Sequence, residues 1–316
     1  MPRMPRAHLL SATLVLGLSV LLGGATSPPA PPAGGVDLNT EQQSVAAWRA
    51  QRLERLESDD GWLTLCGLFW LKDGDNTFGR AKANSLVLDN SSLADTAGSF
   101  ILSHGAVRFI ARPGSGVTHD GRAVSAIELH SDASGDPTML ASGSLRFYLI
   151  ERAGNLGVRV RDLQNPRRRD FRGLEYFPVS SAWVVEARFE RYEPVRHLKI
   201  MNILGMVDEA QSPGAVVFTK DGREWRLDTV LESAGDRELF IMFADATSGH
   251  ETYGGGRFLY IPLPTGASAR VDFNKAYNPP CALNDFATCP LPPAENRLRL
   301  RIDAGEMKYA GGTEHR

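Results

Sequence analysis

Cys281 and Cys289 stand eight residues apart in the stretch "FNKAYNPPCALNDFATCPLPPAENRL" (273–298). Two thiols at that spacing suit two kinds of chemistry. A disulfide would close a nine-residue loop and stabilise it by about 2–3 kcal/mol on the loop-entropy model. Alternatively Cys281, as a thiolate, is a nucleophile. No histidine adjoins it, so a base such as His250 would have to approach through the fold. The surrounding prolines and asparagines argue for a stiff loop whose side chains bind backbone. Cys66, inside "WLTLCGLFWL", reads as a buried small apolar residue.

Polar groups gather near this loop. Asp272, Asn274, Tyr277 and Asn278 follow the strand-like "ARVDF", while Asp245, Tyr253 and Arg257 flank "GHETYGGGR". Asp272 and Asp245 are the carboxylates suited to general-base work. Tyr253, Arg257, Asn274, Tyr277 and Asn278 suit a small polar or anionic ligand, and the same side chains equally suit loop architecture. Residues 152–172 add seven arginines against Asp162 and Asp170. Within "GVRVRD", Arg159 and Arg161 share one strand face and Val158 and Val160 the other. A cavity on the arginine face would attract a carboxylate, phosphate or sulfate, with Arg161 as the ligand-binding candidate.

Other chemistries have no signature. There is no G-x-S-x-G elbow, Walker loop, H-E-x-x-H or C-x-x-C, so no cofactor is expected. Histidines at 104, 119, 130, 197 and 250 are too scattered for a local metal site. With 35 Lys and Arg against 37 Asp and Glu, the chain gives no reason to expect nucleic acid or an anionic membrane as partner. The oligomeric state is not encoded in any recognisable pattern.

The elements that would carry these residues are mostly strands. Short apolar runs cut by "KDGDN", "LDNSS", "SHG" and "HDGR" form an antiparallel unit, and longer runs such as "LRFYLIE", "ELFIMFAD" and "RFLYIPL" follow. "RLRLRID" alternates Leu298, Leu300 and Ile302 with Arg297, Arg299 and Arg301, as a strand with one solvated face does. One helix is expected, from about Glu41 to Glu57, opened by a Thr40/Gln43 capping box. Arg49 and Arg52 project from its apolar face; snorkelling to water is the favoured reading, and entry into a pocket the other. The fold class is therefore mainly β, in antiparallel sandwich or barrel layers with one N-terminal helix.

At the N-terminus, Arg3 and Arg6 precede an apolar run, Leu9 to Leu22, and small residues to Ala25. This layout is a secretory signal peptide, and the run is too short for a membrane span. The organisation that follows is a signal peptide at 1–25, a Pro-rich linker at 26–39, a helix with a small β-unit at 40–124, and a larger β domain at 125–316.

"FADATSGHETYGGGRFLYIPL…FNKAYNPPCALNDFATCPLPPAEN", with "GWLTLCGLFWLKDGDNTFG" and "LGVRVRD…FRGLEYFPV" before it, resembles the bacterial and archaeal family known as domain of unknown function 1684, over about residues 45–307. That resemblance implies a mainly β fold and carries no activity with it. The sequence thus points to an exported protein, periplasmic or secreted, that binds a small polar or anionic ligand in a β-scaffold pocket walled by residues 272–296. An exported hydrolase using a carboxylate or Cys281, and an envelope interaction module without a small ligand, are the competing readings.

Overall fold

The computed structural model describes residues 38–233 and 235–312. The expected signal peptide and nearly all of the expected linker lie outside them. The helix Leu38–Glu57 carries Glu41 in its first turn and Arg55 in its last, matching the helix dipole. It begins two residues before the expected cap, so Thr40 lies within it. Val45 and Leu56 are buried on one face, and so are Glu41 and Arg52.

Among the described residues seventeen strands follow in three sheets, antiparallel except for one short parallel pair. Two of the sheets pack face to face around Phe78, Phe100, Phe109 and Phe147, whose rings lie 4.8–6.2 Å apart. This first core takes residues from both sides of the polar stretch 121–138. Its strand Asn155–Asp162 pairs with Leu65–Trp70 on one side and Leu145–Arg152 on the other. Val158 and Val160 point into the core, so strand alternation sends Arg159 and Arg161 out of the opposite face.

The third sheet holds six strands and curls around a second core of Phe189, Phe218, Leu239, Ile241, Phe243, Val271 and Phe273. In Glu238–Phe243, Leu239, Ile241 and Phe243 enter that core while Phe240 and Met242 face outward. In Arg257–Pro262, Leu259 and Ile261 point in, and Phe258 and Tyr260 point out. A run apolar on both faces means that the outer face is also covered. A cluster with Ile200, Tyr253, Phe258, Cys281, Ala287 and Cys289 does the covering. The motif loop therefore lies across the outside of the sheet.

"RLRLRID" departs from its expected form. Leu298, Leu300 and Ile302 are buried and the arginines exposed, as alternation requires, but no regular strand forms. The segment runs beside Phe243 to Ala246, where Leu298 N–H donates to Ala244 O and Ala246 N–H to Leu300 O. Ile302 N–H goes instead to the Asp245 carboxylate, which interrupts the ladder. The only cis peptide among the described residues is Glu193–Pro194.

Candidate functional site

A cavity of about 600 Å³ opens among the outer face of the curled sheet, the helix, the motif loop and the end of the strand Leu145–Arg152. Phe240, Phe258 and Tyr260 form its apolar floor, and Tyr277, Thr288 and Cys289 of the motif loop form one wall. The helix supplies Trp48 and Arg52, the turn after it supplies Trp62, and Arg152 reaches in from the end of the strand Leu145–Arg152. The volume and aromatic lining are those of a small-molecule site.

Phe240, Tyr260 and Tyr277 stack in series, with centroids 5.0 and 6.3 Å apart and planes 28° and 13° apart. Phe258 meets Phe240 and Tyr277 edge-on, at 4.8 and 5.8 Å. The Tyr260 hydroxyl donates to Glu232 Oε2 at 2.5 Å. Burial raises the Glu232 carboxyl above its ordinary range, opposed by that hydrogen bond.

Arg52 answers the question that the helix posed. It is buried rather than snorkelling: Nε–H donates to Glu306 Oε1 at 3.0 Å, and a second N–H to Asn278 O at 2.9 Å. Its guanidinium carbon lies 4.5 Å from the Tyr277 ring centroid. Glu306, fully buried, also accepts Asn278 N–H at 2.8 Å. One carboxylate thus ties the helix to the motif loop, and the snorkelling expectation fails because a buried anion was waiting. Arg49 donates to Phe177 O and lies 4.0 Å over the Tyr176 ring.

A second cationic group lies beside Thr288. Arg152 Nε–H donates to Thr288 Oγ1 at 3.2 Å while its terminal nitrogens pair with Asp132 at 2.8 and 3.1 Å. Arg159, 2 % exposed, donates to the same hydroxyl at 3.1 Å, and its Nε–H has no hydrogen-bond partner. Its guanidinium faces Trp62 at 5.6 Å. Burial lowers the Arg159 pKa, yet a guanidinium remains charged at any physiological pH. Two cations against one carboxylate leave the Thr288 wall of the cavity net positive, although Arg159 itself does not line it.

The residues singled out in the sequence divide sharply. Tyr277 lines the cavity. Arg161 does not: it donates to Gly61 O, Thr64 Oγ1 and Tyr148 Oη, and so holds the turn that carries Trp62. Arg257 is fully buried, bonded to the Ala304 and Ile302 carbonyls and paired with Asp245 at 3.3 Å. Asp245 further accepts from Thr247, Ser248 and Ile302 N–H, so neither member reaches the cavity. Gly256, next to Arg257, has φ +86°, and a Cβ there would meet Phe243 O at 2.5 Å. The glycine run thus serves close packing of backbone.

Asn274 exchanges hydrogen bonds with the backbone of Ser180 and donates to Asp272, which caps the following short turn. Asn278 donates to Met307 O. Asp272, Asn274 and Asn278 therefore shape the loop and do not line the cavity. Tyr253 lies beneath the loop, its hydroxyl bonded to the Cys281 thiol.

Cys281 and Cys289 are adjacent and not joined in a disulfide, contrary to the pairing expected from their spacing. Instead Cys281 N–H donates to Cys289 Sγ at 3.1 Å, and the two thiols hydrogen-bond each other. Cys66 is part-buried, its thiol donating to Val160 O at 3.7 Å, and burial pushes its pKa to about 12. The contributors that sequence reasoning missed are Trp48, Trp62, Arg152 and Thr288, whereas Arg52 follows the pocket reading that was not favoured. Arg152 belonged to the noticed arginine-rich run. Trp62 followed "DDG", a turn signal that put an aromatic at a loop exit.

Comparison with known proteins adds kinship without chemistry. The family model described as "Protein of unknown function (DUF1684)" matches residues 169–307, which hold the curled sheet and the motif loop. The solution NMR structure of an uncharacterized protein from gene locus rrnAC0354 of Haloarcula marismortui is 33% identical, over 45% of this chain and 80% of that one, with a TM-score of 0.39. No curated protein matches.

Proposed function

We propose that this chain, which belongs to the DUF1684 family, binds a small molecule with a flat apolar body and an anionic group. The observation that carries the reading is the cavity of about 600 Å³, aromatic on its floor and cationic at the Thr288 end. The apolar body lies against Tyr260 and Phe258, under Trp48 and Trp62. The anion meets Arg152, while Arg159, held behind Thr288, adds positive charge to that wall. A guanidinium is weakly hydrated and presents fixed donors, so it holds a carboxylate, sulfonate or phosphate with directional bonds.

Export of the protein belongs to the same proposal. It is supported by the basic, apolar and small-residue layout of residues 1–25. A binding site served outside the cytoplasm would meet diffusible organic acids rather than nucleotide pools. The hydrolase reading has less support, because Asp245 and Asp272 are occupied by structural hydrogen bonds away from the cavity.

Titration with 8-anilinonaphthalene-1-sulfonate tests the ligand class, since that probe joins an aromatic body to a sulfonate. We expect saturable one-to-one binding to the folded chain that quenches tryptophan emission and is weakened in Arg152→Ala. Non-saturable binding, or binding indifferent to Arg152→Ala, would overturn the assignment.

A further inference from the structure

We propose that Cys281 and Cys289 are a redox-active dithiol, oxidised by small hydroperoxides to an intramolecular disulfide, with Cys281 as the attacking sulfur. This inference does not require the cavity to hold a ligand.

The pair is contiguous and unequal. The Cys281 backbone N–H reaches Cys289 Sγ at 3.1 Å, which sets the two side chains against each other. Cys281 sits among donors: the Cys289 thiol, the Tyr253 hydroxyl and the backbone N–H groups of Cys281 and Ala282. These hydrogen bonds, that of Cys289 foremost, hold its thiol below the ordinary cysteine value despite burial. Cys289 is pushed well above that value, by burial first and then by its neighbour. One sulfur is therefore prepared to be a thiolate and the other to remain a thiol, the division of labour of an attacking and a resolving cysteine.

Access favours a small oxidant. Cys281 and Cys289 are 1 % and 4 % exposed, and Cys289 lines the cavity. Cys281 does not line the cavity, so an oxidant must pass Cys289 to reach it, which a peroxide is small enough to do and a protein disulfide is not. The chemistry balances in two steps. Cys281 sulfur attacks the terminal peroxide oxygen, the O–O bond breaks, and the thiol proton leaves with the other oxygen as an alcohol, or as water from hydrogen peroxide. Cys289 sulfur then displaces hydroxide from the Cys281 sulfenic acid, and its own proton completes a water molecule. Two thiols and one hydroperoxide become one disulfide, one alcohol and one water.

Pro279 and Pro280 precede Cys281, and Pro290 follows Cys289. Fixed φ angles at these positions limit how far the loop ends drift. Bond formation would pull on Thr288, the residue that both Arg152 and Arg159 grip. Cys66, in the other β-unit with its pKa near 12, has neither a partner thiol nor a stabilised thiolate, and it serves as an internal control.

The test treats the reduced, desalted protein with a slight excess of hydrogen peroxide, blocks remaining thiols with iodoacetamide, and maps peptides without reductant. The expected result is a Cys281–Cys289 crosslink with Cys66 alkylated. In Cys289→Ser the sulfenic acid should persist and take dimedone at Cys281, whereas Cys281→Ser should give no adduct at Cys289. Alkylation of all three cysteines in the wild-type protein after peroxide would overturn the proposal. Dimedone labelling of Cys289 rather than Cys281 would overturn the assignment of roles. Because the wild-type map needs no variant, a misfolded mutant cannot decide the outcome.

Discussion

Arg257 and Arg159 are both buried, both on strands and both short of one hydrogen bond at Nε. Their surroundings nevertheless assign them opposite work. Arg257 is sealed among two backbone carbonyls and Asp245 and does not line the cavity. Arg159 shares with a second arginine the hydroxyl of Thr288, which lines the cavity, and lies 5.6 Å from the Trp62 ring. The first arrangement consumes a charge to lock backbone that has left the regular ladder. The second leaves positive charge in excess. A buried arginine is therefore a candidate for a site only where the protein has not already neutralised it.

The sealed group is the harder to lose. Replacing Arg257 by alanine strands the Asp245 carboxylate and two carbonyls in the interior, a cost of about 3–5 kcal/mol for a broken buried pair. Urea denaturation should show that loss, or the variant should fail to accumulate as soluble protein. An unchanged midpoint would erase the contrast just drawn. Glu306→Gln comes next. It removes the charge facing Arg52 while keeping the shape, and should cost about 1.5–3 kcal/mol, the range for hydrogen bonds to charged groups. The same variant frees Arg52 over Tyr277, so anilinonaphthalene sulfonate should bind at least as tightly although the protein melts earlier. Weaker binding together with lower stability would place Glu306 among the groups that organise the cavity.

Arg152→Ala should invert that pattern. Its pair with Asp132 is partly exposed, and such pairs contribute about 0–1 kcal/mol, so the melting temperature should barely move. Binding of the sulfonate probe should fall about tenfold, which corresponds to about 1.4 kcal/mol. Equal losses in stability and binding would make Arg152 one more structural arginine.

Much of this architecture was legible from periodicity. Alternation in "GVRVRD" put Arg159 and Arg161 on one face, and alternation in "RLRLRID" gave the right burial. What alternation cannot give is what stands opposite a face. Arg161 looked like the ligand arginine and Arg159 like its companion, yet Arg161 meets the carbonyl of Gly61 and Arg159 meets the hydroxyl of Thr288, which lines the cavity. Of the motif loop that was expected to form a wall, Tyr277, Thr288 and Cys289 line the cavity. Arg257, Asn274 and Asn278 were read as ligand groups because polar residues near glycines and prolines serve sites and loop scaffolds alike. Their partners, Ile302, Ser180 and Glu306, lie 28–94 residues away along the chain. Local sequence carries no signal over such separations. The helix showed the same gap: its apolar spacing was visible, and the Glu306 anion that draws Arg52 inward was not.

A third buried charge, Glu41 at the start of the helix, offers the finest test of the contrast. Glu41 is 5 % exposed, pairs with the half-exposed Arg270 and hydrogen-bonds Asp272, while Lys275 lies 3.4 Å from Asp272. Burial raises its pKa above the ordinary 4.5, Asp272 raises it further by hydrogen bond and charge, and Arg270 and Lys275 pull it back. A folded pKa above the unfolded one means that the native state holds the proton more tightly. The resulting stabilisation is complete below the unfolded value and is lost as pH rises through the folded one. Glu41→Gln mimics the protonated form, so it should match the wild type near pH 4 and gain on it as pH rises toward 8. The effect should be the smallest of the four, because exposed Arg270 offsets part of it. A melting-temperature gap that stays constant with pH, or that favours the wild type more at high pH, would mean that Arg270 neutralises Glu41 as fully as Arg257 neutralises Asp245. The helix would then be fastened by a closed pair rather than by a shared proton.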